Sequence, residues 1–384
     1  MPAVAPLESP DQLRRQMAVS SRRVYLDHAA VAPLPRCSAR SIVAWAEDLC
    51  ADGSAHWSQW RRRVEQTRSL LAKLISASPD EVAIIRNTTE GVALVAEGWR
   101  WQPGDSVVVP QCEFPANLYP WLNLRERGVC VRTVEVTSDA DNEEFCRAIE
   151  RSCDESTRII ACSWVDYSSG RRRDLSRLCE IAHSRGARLF VDAIQGLGVL
   201  PLDVADVPVD FLAADGHKWL LGPEGAGVCF VRSERLNDLR VIGPGWNSVR
   251  HAGDFANKDL DLKPSASRCE AGTSNISAIV GLHASLVLLS GIARAAAERR
   301  LLEIRAWFAE AGCRSGLRTA VMPDAELSGI IAFDSPRLEA RQLARELRRC
   351  GVIVSARDGR LRVSPHLYNN LDDAAQFGEA VQSF

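Results

Sequence analysis

Between about residues 80 and 232, short β-branched runs alternate with longer segments of helical spacing. The pattern predicts strands at Val82 to Arg86, Ser106 to Val109, Cys130 to Val136, Arg158 to Trp164, Arg188 to Val191, Val209 to Ala213 and Val228 to Val231. Several of these runs are apolar at consecutive positions, as strands covered on both faces are. Asn117 to Arg127 and Asp174 to Arg185 are long enough for crossover helices. Alternation of this kind predicts an α/β fold: a mostly parallel, seven-stranded sheet with helices on both faces.

After residue 285 the character changes. Ala278 to Ala297 is strongly apolar and predicts a buried helix, because His283, Ser285, Ser290 and Arg294 interrupt it too often for a membrane span. A charged-apolar helix over about Ile292 to Ala311 follows. Leu327 to Asp334, Val352 to Ala356 and Leu361 to Ser364 then predict strands of a small α+β unit. Arg357-Asp358-Gly359-Arg360 has the chemistry of a two-residue hairpin turn, with Asp-Gly supplying positive φ. The organisation expected is an N-terminal segment over 1–24, a large α/β domain over 25–284 and a small C-terminal domain over 285–384.

Charge narrows the choice of partner. Lys plus Arg number 47 and Asp plus Glu 49, a net of −2, which argues against nucleic-acid binding. The 12 cysteines include no CxxC and no Cys/His cluster at zinc spacing; scattered as Cys112, Cys162, Cys179 and Cys229 are, they read as reduced core thiols of a cytoplasmic protein, with no metal site. Pro2, Pro6, Glu8, Pro10 and Asp11 break up the first twenty residues, so no signal peptide is expected.

The chemistry concentrates in two pieces. Val191-Asp192-Ala193-Ile194-Gln195 and Asp215-Gly216-His217-Lys218-Trp219 both lie just past a predicted strand, on the edge of an open parallel sheet where ligands bind. Alone, Asp192 reads as a loop cap and Lys218 as a solvated charge. Together, 26 residues apart with room for one short crossover, they make a pyridoxal phosphate site. The lysine amine forms an imine with the aldehyde, and the carboxylate keeps the pyridine nitrogen protonated so that the ring takes up electrons. Asn87-Thr88-Thr89-Glu90-Gly91 follows a strand and opens a helix, which points backbone N–H groups and two hydroxyls at an anion; the ordinary alternative is a plain threonine cap.

With these motifs in order, from Tyr25-Leu26-Asp27-His28-Ala29-Ala30 to Arg362-Val363-Ser364-Pro365-His366-Leu367-Tyr368-Asn369, the chain resembles the class V aminotransferase family of fold-type-I pyridoxal phosphate enzymes. That family includes cysteine desulfurases, selenocysteine lyases and kynureninase. The resemblance implies that Lys218 is the Schiff-base lysine, Asp192 the partner of the pyridine nitrogen and Gln195 the amide on the phenolic oxygen. Thr88, Thr89 and His217 would hold the phosphate. Asp215 stands where relatives often carry a phosphate-binding serine and is left out of the site, since an anion cannot do that work. Phe114, in Glu113-Phe114-Pro115-Ala116-Asn117, takes the place of a ring-stacking histidine; stacking survives and proton shuttling does not. Tyr167 aligns with an asparagine beside the cofactor. Thr273, in Glu270-Ala271-Gly272-Thr273, implies a homodimer in which it reaches the neighbouring subunit's phosphate. Arg362 would grip the substrate carboxylate with its guanidinium fork, with His28 approaching the same site and Trp246 or Asn247 at the entrance.

One departure matters most. Desulfurases carry a catalytic cysteine on a mobile loop before the carboxylate-binding arginine, whereas Ser355 to Leu361 is a tight turn without one. Cys350, at the end of a predicted helix, is read as structural. The activity expected is therefore that of a C–S (β-elimination) lyase or a desulfurase-like enzyme on an amino acid. Transamination, epimerisation of the isopenicillin N epimerase type, and a partner protein without activity are the alternatives.

Overall fold

The computed structural model describes residues 4–7 and 9–384; Met1 to Ala3 and Glu8, part of the predicted N-terminal segment, lie outside the described residues. The strands run, in chain order, Val24–Tyr25 (β1), Val82–Ile85 (β2), Ser106–Pro110 (β3), Cys130–Val134 (β4), Thr157–Ser163 (β5), Arg188–Asp192 (β6), Phe211–Asp215 (β7) and Gly227–Val231 (β8). Seven of them form one sheet in the order β2-β8-β7-β6-β5-β3-β4, parallel except that β8 runs against both its neighbours. Each of the seven predicted runs forms one of these strands.

The consecutive apolar residues are explained by two cores. Val108, Ile160, Cys162, Leu189, Val191, Leu212 and Phe230 point into one, and Val107, Val109, Ile159, Ala161, Phe190, Phe211, Ala213 and Cys229 into the other. Successive side chains face opposite sides of a strand, so a sheet covered on both faces needs apolar residues at every position. Helices Trp57–Leu74, Leu175–Ser184 and Ile276–Leu289 cover the first face, and Thr88–Gly98 and Tyr119–Asn123 the second.

The C-terminal unit contains Arg318–Thr319 (β9), Ile331–Asp334 (β10), Val352–Ile353 (β11), Ser355–Arg357 (β12) and Arg360–Val363 (β13), with helices Arg294–Arg314, Ala340–Arg349 and Leu371–Gln382. Four of its strands pair antiparallel in the order β12-β13-β10-β9. The turn between β12 and β13 forms as expected, with Asp358 at φ 48° and Gly359 at φ 77°. The early strand β1 pairs in parallel with β11, and Val24 and Leu26 are buried in the same cluster as Phe308, Phe333 and Phe377.

Three expectations change. The run Val352 to Ala356 is two strands, since β11 pairs with β1 while β12 turns to pair with β13. The strand expected over Leu327 to Asp334 begins only at Ile331, because Ser328 reaches back to the Gly170 carbonyl and Gly329 packs on the Trp219 ring. The helix expected from Ala278 to Ala297 stops at Leu289, and the next starts at Arg294 with an 87° bend between them. The chain at Leu7 fills that break: its N–H bonds Leu288 O at 3.1 Å, and a Cβ on Gly291 would clash with the Leu7 backbone. Among the described residues no single helix is long and apolar enough to cross a membrane.

The loop carrying Tyr167 closes against the small unit at Gly170. Its φ is +76°, and a Cβ there would meet Ile330 O at 2.5 Å. Gly170→Ala should therefore destabilise the protein by about 1–3 kcal/mol, combining left-handed strain with the backbone clash. A lowered melting temperature in a thermal scan checks this, and an unchanged one would contradict it.

Candidate active site

Asp192 ends β6, and Lys218 lies three residues beyond the end of β7. The register pairs Ser163 with Asp192 and Asp192 with Ala213, so the C-terminal ends of β5 and β6 stand level and β7 runs two residues further, to Asp215. Both charged groups are buried. Burial pushes the Asp192 carboxyl up to about 6, against the Ile194 N–H (3.0 Å) and the Lys218 charge, which favour the anion. Burial pulls the Lys218 amine down to about 8, with Asp192 opposing. Desolvation is the larger influence on each, so burial draws the carboxyl up and the amine down toward neutral pH.

Around them the side chains are tightly organised. Phe114 is 44% exposed, its ring centroid 5.8 Å from Lys218 Nζ, and Tyr167 meets it edge to face at 5.3 Å. The Tyr167 hydroxyl lies 3.4 Å from Asp358 Oδ2 on the hairpin tip. Gln195 donates from Nε2 to Ala29 O and accepts the Trp219 indole N–H on Oε1, both at 3.0 Å. Arg362 is 2% exposed; Nη1 donates to Tyr167 O at 2.9 Å and Nη2 to Asp27 Oδ1 at 3.3 Å, while Nε has no partner. Burial lowers its pKa to about 10, with Asp27 holding the charge on.

The anion turn takes a definite form. Asn87 caps helix Thr88–Gly98 by accepting from Glu90 N–H, which leaves the first N–H groups of the helix open. Thr88 is buried, its Oγ1 accepting from Asp215 N–H at 3.0 Å, and Thr89 is exposed. Asp215 turns inward: Oδ1 accepts from Gly216 N–H at 2.6 Å, and Oδ2 lies 2.9 Å from His217 Nδ1 without hydrogen-bond alignment.

Two predicted residues stand apart. Thr273 is exposed on an open groove of about 590 Å³ shared with Arg86 and Glu90, and none of its described contacts reaches Lys218. His28 is corrected as a substrate-binding residue. It is wholly buried, with Nδ1 on Ser364 O and Nε2 on the Tyr368 hydroxyl, both at 2.9 Å, and its ring packs 5.1 Å from that of His366. Both nitrogens are spent inside the fold, and burial keeps the ring neutral by lowering its pKa.

The thiols also need correction. All twelve cysteines are free, but Cys50, Cys130, Cys313 and Cys350 are exposed and only six are fully buried. Cys350 is a surface residue closing helix Ala340–Arg349.

Sequence reasoning missed Glu113 and Asp27. Glu113 is buried beside β5, its Oε1 accepting from Ser163 N–H at 2.6 Å and its Oε2 from the Ser163 hydroxyl and from Asn117 Nδ2; burial lifts it to about 7. It ties the Phe114 loop to the strand beside Asp192. An acid wedged between a strand end and Phe-Pro was the available signal. Asp27 carries none, because its partners Ser355 and Arg362 are more than 300 residues away.

These residues fit pyridoxal phosphate: an amine with lowered basicity, a buried carboxylate short of counter-charge, a half-open aromatic face and a helix start with free N–H groups. The comparisons agree. The class-V aminotransferase family profile matches residues 24–371, and the chain belongs to that family of pyridoxal phosphate-dependent enzymes. It is 29% identical to a probable cysteine desulfurase of Methanothermobacter thermautotrophicus, covering 97% of each chain. It is 30% identical to the cysteine desulfurase CsdA of Escherichia coli, again over 97% of each. The fold matches that of C-DES, whose structure holds glycine covalently linked to its pyridoxal phosphate cofactor, with a TM-score of 0.91 at 21% identity over 97% of this chain and 99% of that one. The architecture is fold type I.

A lysine attacks an aldehyde only as the neutral amine. With the Lys218 amine losing its proton near 8, the rate of coenzyme uptake by apoprotein should climb about tenfold per pH unit below that value and level off above it. An ordinary exposed lysine would keep climbing to about 10.4. Stopped-flow absorbance from pH 6 to 10 reads the difference.

Proposed function

We propose that this enzyme is a C–S lyase acting on L-cysteine or an S-substituted cysteine. The observation that carries the proposal is the β12–β13 hairpin. Where desulfurases hold a nucleophilic thiol on a mobile loop, this chain has a two-residue turn between Arg357 and Arg360 with no cysteine. The relatives named as cysteine desulfurases support a sulfur amino acid as substrate. With no thiol to receive the sulfur, elimination releases it to solvent.

Pyridoxal phosphate, when bound, supplies the electron-accepting ring that makes the substrate's Cα proton acidic. The chain's own groups do the rest. Asp192 is assigned the pyridine nitrogen, where its buried charge holds a proton in place. Thr88, Thr89 and His217 are assigned the phosphate, Gln195 the phenolic oxygen, and Phe114 with Tyr167 one face of the ring. Arg362 has three N–H donors beyond its two internal bonds and fixes the substrate carboxylate, which orients the Cα–H bond. Lys218 then takes the Cα proton as general base while the Cβ–S bond breaks. Overall, R–S–CH₂–CH(NH₃⁺)–COO⁻ and water give R–SH, pyruvate and ammonium.

Holoenzyme supplied with L-cysteine or S-alkyl cysteines should yield pyruvate and ammonium in equal amounts, and Lys218→Ala should lose at least about 100-fold in rate while remaining folded by circular dichroism. Amino transfer to a keto acid, or deuterium uptake at Cα without a leaving group, would replace the lyase by an aminotransferase or an epimerase.

The same proposal includes a cytoplasmic homodimer with Thr273 reaching the neighbouring site. Its support is the exposure of Thr273 on the groove with Arg86 and Glu90. Sedimentation equilibrium should return twice the 42.2 kDa chain mass; a monomer at micromolar concentration would remove the shared site.

A further inference from the structure

The hairpin carries an arginine whose charge no carboxylate among the described residues answers. Ser355 pairs with Arg362 and Arg357 with Arg360, so all four side chains share one face of the β12–β13 ribbon. Three of them are accounted for. Ser355 Oγ donates to Asp27 Oδ1 at 2.8 Å and Arg362 Nη2 donates to the same oxygen. Arg360 Nη1 pairs with Asp139 Oδ1 at 2.7 Å. Arg357 is half-buried and makes one bond, from Nη1 to the carbonyl of its own neighbour Ala356 at 2.8 Å. Asp358, next in sequence, faces the Tyr167 hydroxyl instead. Among the described residues no carboxylate lies within ion-pair distance of Arg357.

Its position is next to the chemistry. Arg357 shares a ribbon face with Arg362, and its neighbour Asp358 meets the Tyr167 hydroxyl. On its outer side it borders an open groove of about 510 Å³ whose wall carries Arg341, Arg345 and Arg348. All three are exposed and none forms an ion pair with a described residue. A row of unanswered guanidinium groups leading to a half-buried one raises the local concentration of anions. A guanidinium with four free N–H donors is a built acceptor for a carboxylate or sulfonate fork.

We propose that Arg357 receives a second negative charge on the substrate, so that the preferred amino acid ends its side chain in an anionic group. On the lyase reading, on which this rests, the substrate class is a cysteine whose sulfur bears a short acidic substituent. Arg362 holds the α-carboxylate and Arg357 the distal acid.

The test compares S-carboxymethyl-L-cysteine with its near-isosteric neutral amide, S-carbamoylmethyl-L-cysteine. Holoenzyme should favour the acid by about tenfold or more in kcat/KM, the size expected for one charge-assisted contact. Arg357→Gln should bring the acid-to-amide ratio to about one, and Arg357→Lys should restore part of it. Arg360→Gln, whose partner is Asp139, should keep the wild-type ratio. Equal use of acid and amide by the wild type, or a ratio untouched by Arg357→Gln, overturns the proposal. If no cysteine conjugate is turned over, the lyase reading falls and calorimetric titration of holoenzyme decides this one. Glutarate binding more tightly than its monoamide, with the difference lost in Arg357→Gln, sustains the second-charge site; equal binding ends it.

Discussion

The organising constraint is the removal of water from two opposite charges at the edge of one sheet. Asp192 and Lys218 are each disfavoured as ions by their surroundings, and each is partly held in its charged form by the other. Neither would tolerate that position alone, since a buried charge without a partner is costly. The sheet imposes the arrangement: β6 and β7 are adjacent and parallel, apolar over Leu189 to Val191 and Phe211 to Ala214, and each turns polar at the aspartate that ends it. The buried pair lies at the point where two buried strands run out.

The rest of the site is set by how the C-terminal unit docks. Polar contacts tie it to the loop over 166–172: Arg362 to the Tyr167 carbonyl, Ser328 to the Gly170 carbonyl, Arg171 to Glu326, and Arg172 N–H to the Glu326 carbonyl. Directional bonds of this kind fix a relative position more sharply than apolar contact alone does. Asp27 adds a third element, because it receives both Ser355 and Arg362 and sits between β1 and the hairpin. The guanidinium that faces the site is therefore aimed by residues at positions 27, 167 and 355 together.

How far the sequence reads depends on the range of the interaction involved. The seven sheet strands and the Asp-Gly turn are written locally, in β-branched runs and in one dipeptide that tolerates positive φ. The break at Ser290–Ala293 is not local: an apolar helix there is interrupted because Leu7, far back in the chain, runs through the gap beside Gly291. The division of Val352 to Ala356 likewise depends on Val24, which claims half of the run. For the site, Asp192 and Lys218 were legible because each ends or follows a predicted strand. His28 misled because a histidine in a polar-looking motif says nothing about whether Ser364 and Tyr368 will fold over both its nitrogens. Arg357 was legible only as part of a turn; that it lacks an acid partner is a fact of three dimensions.

The hairpin also bears on what kind of enzyme this scaffold can be. Carrying sulfur away from a coenzyme on a protein thiol requires a segment that swings between the site and a receiver. A two-residue turn closed by Arg357 pairing with Arg360, with Asp358 on the Tyr167 hydroxyl, has little such freedom. What it offers instead is a fixed wall, and a fixed wall is suited to reading the shape and charge of a substrate side chain. On the lyase reading proposed above, a cationic ribbon in place of a mobile nucleophile moves the function of this position from covalent transfer to recognition. On that reading Lys218, whose proton affinity burial lowers, is the group suited to base work at neutral pH.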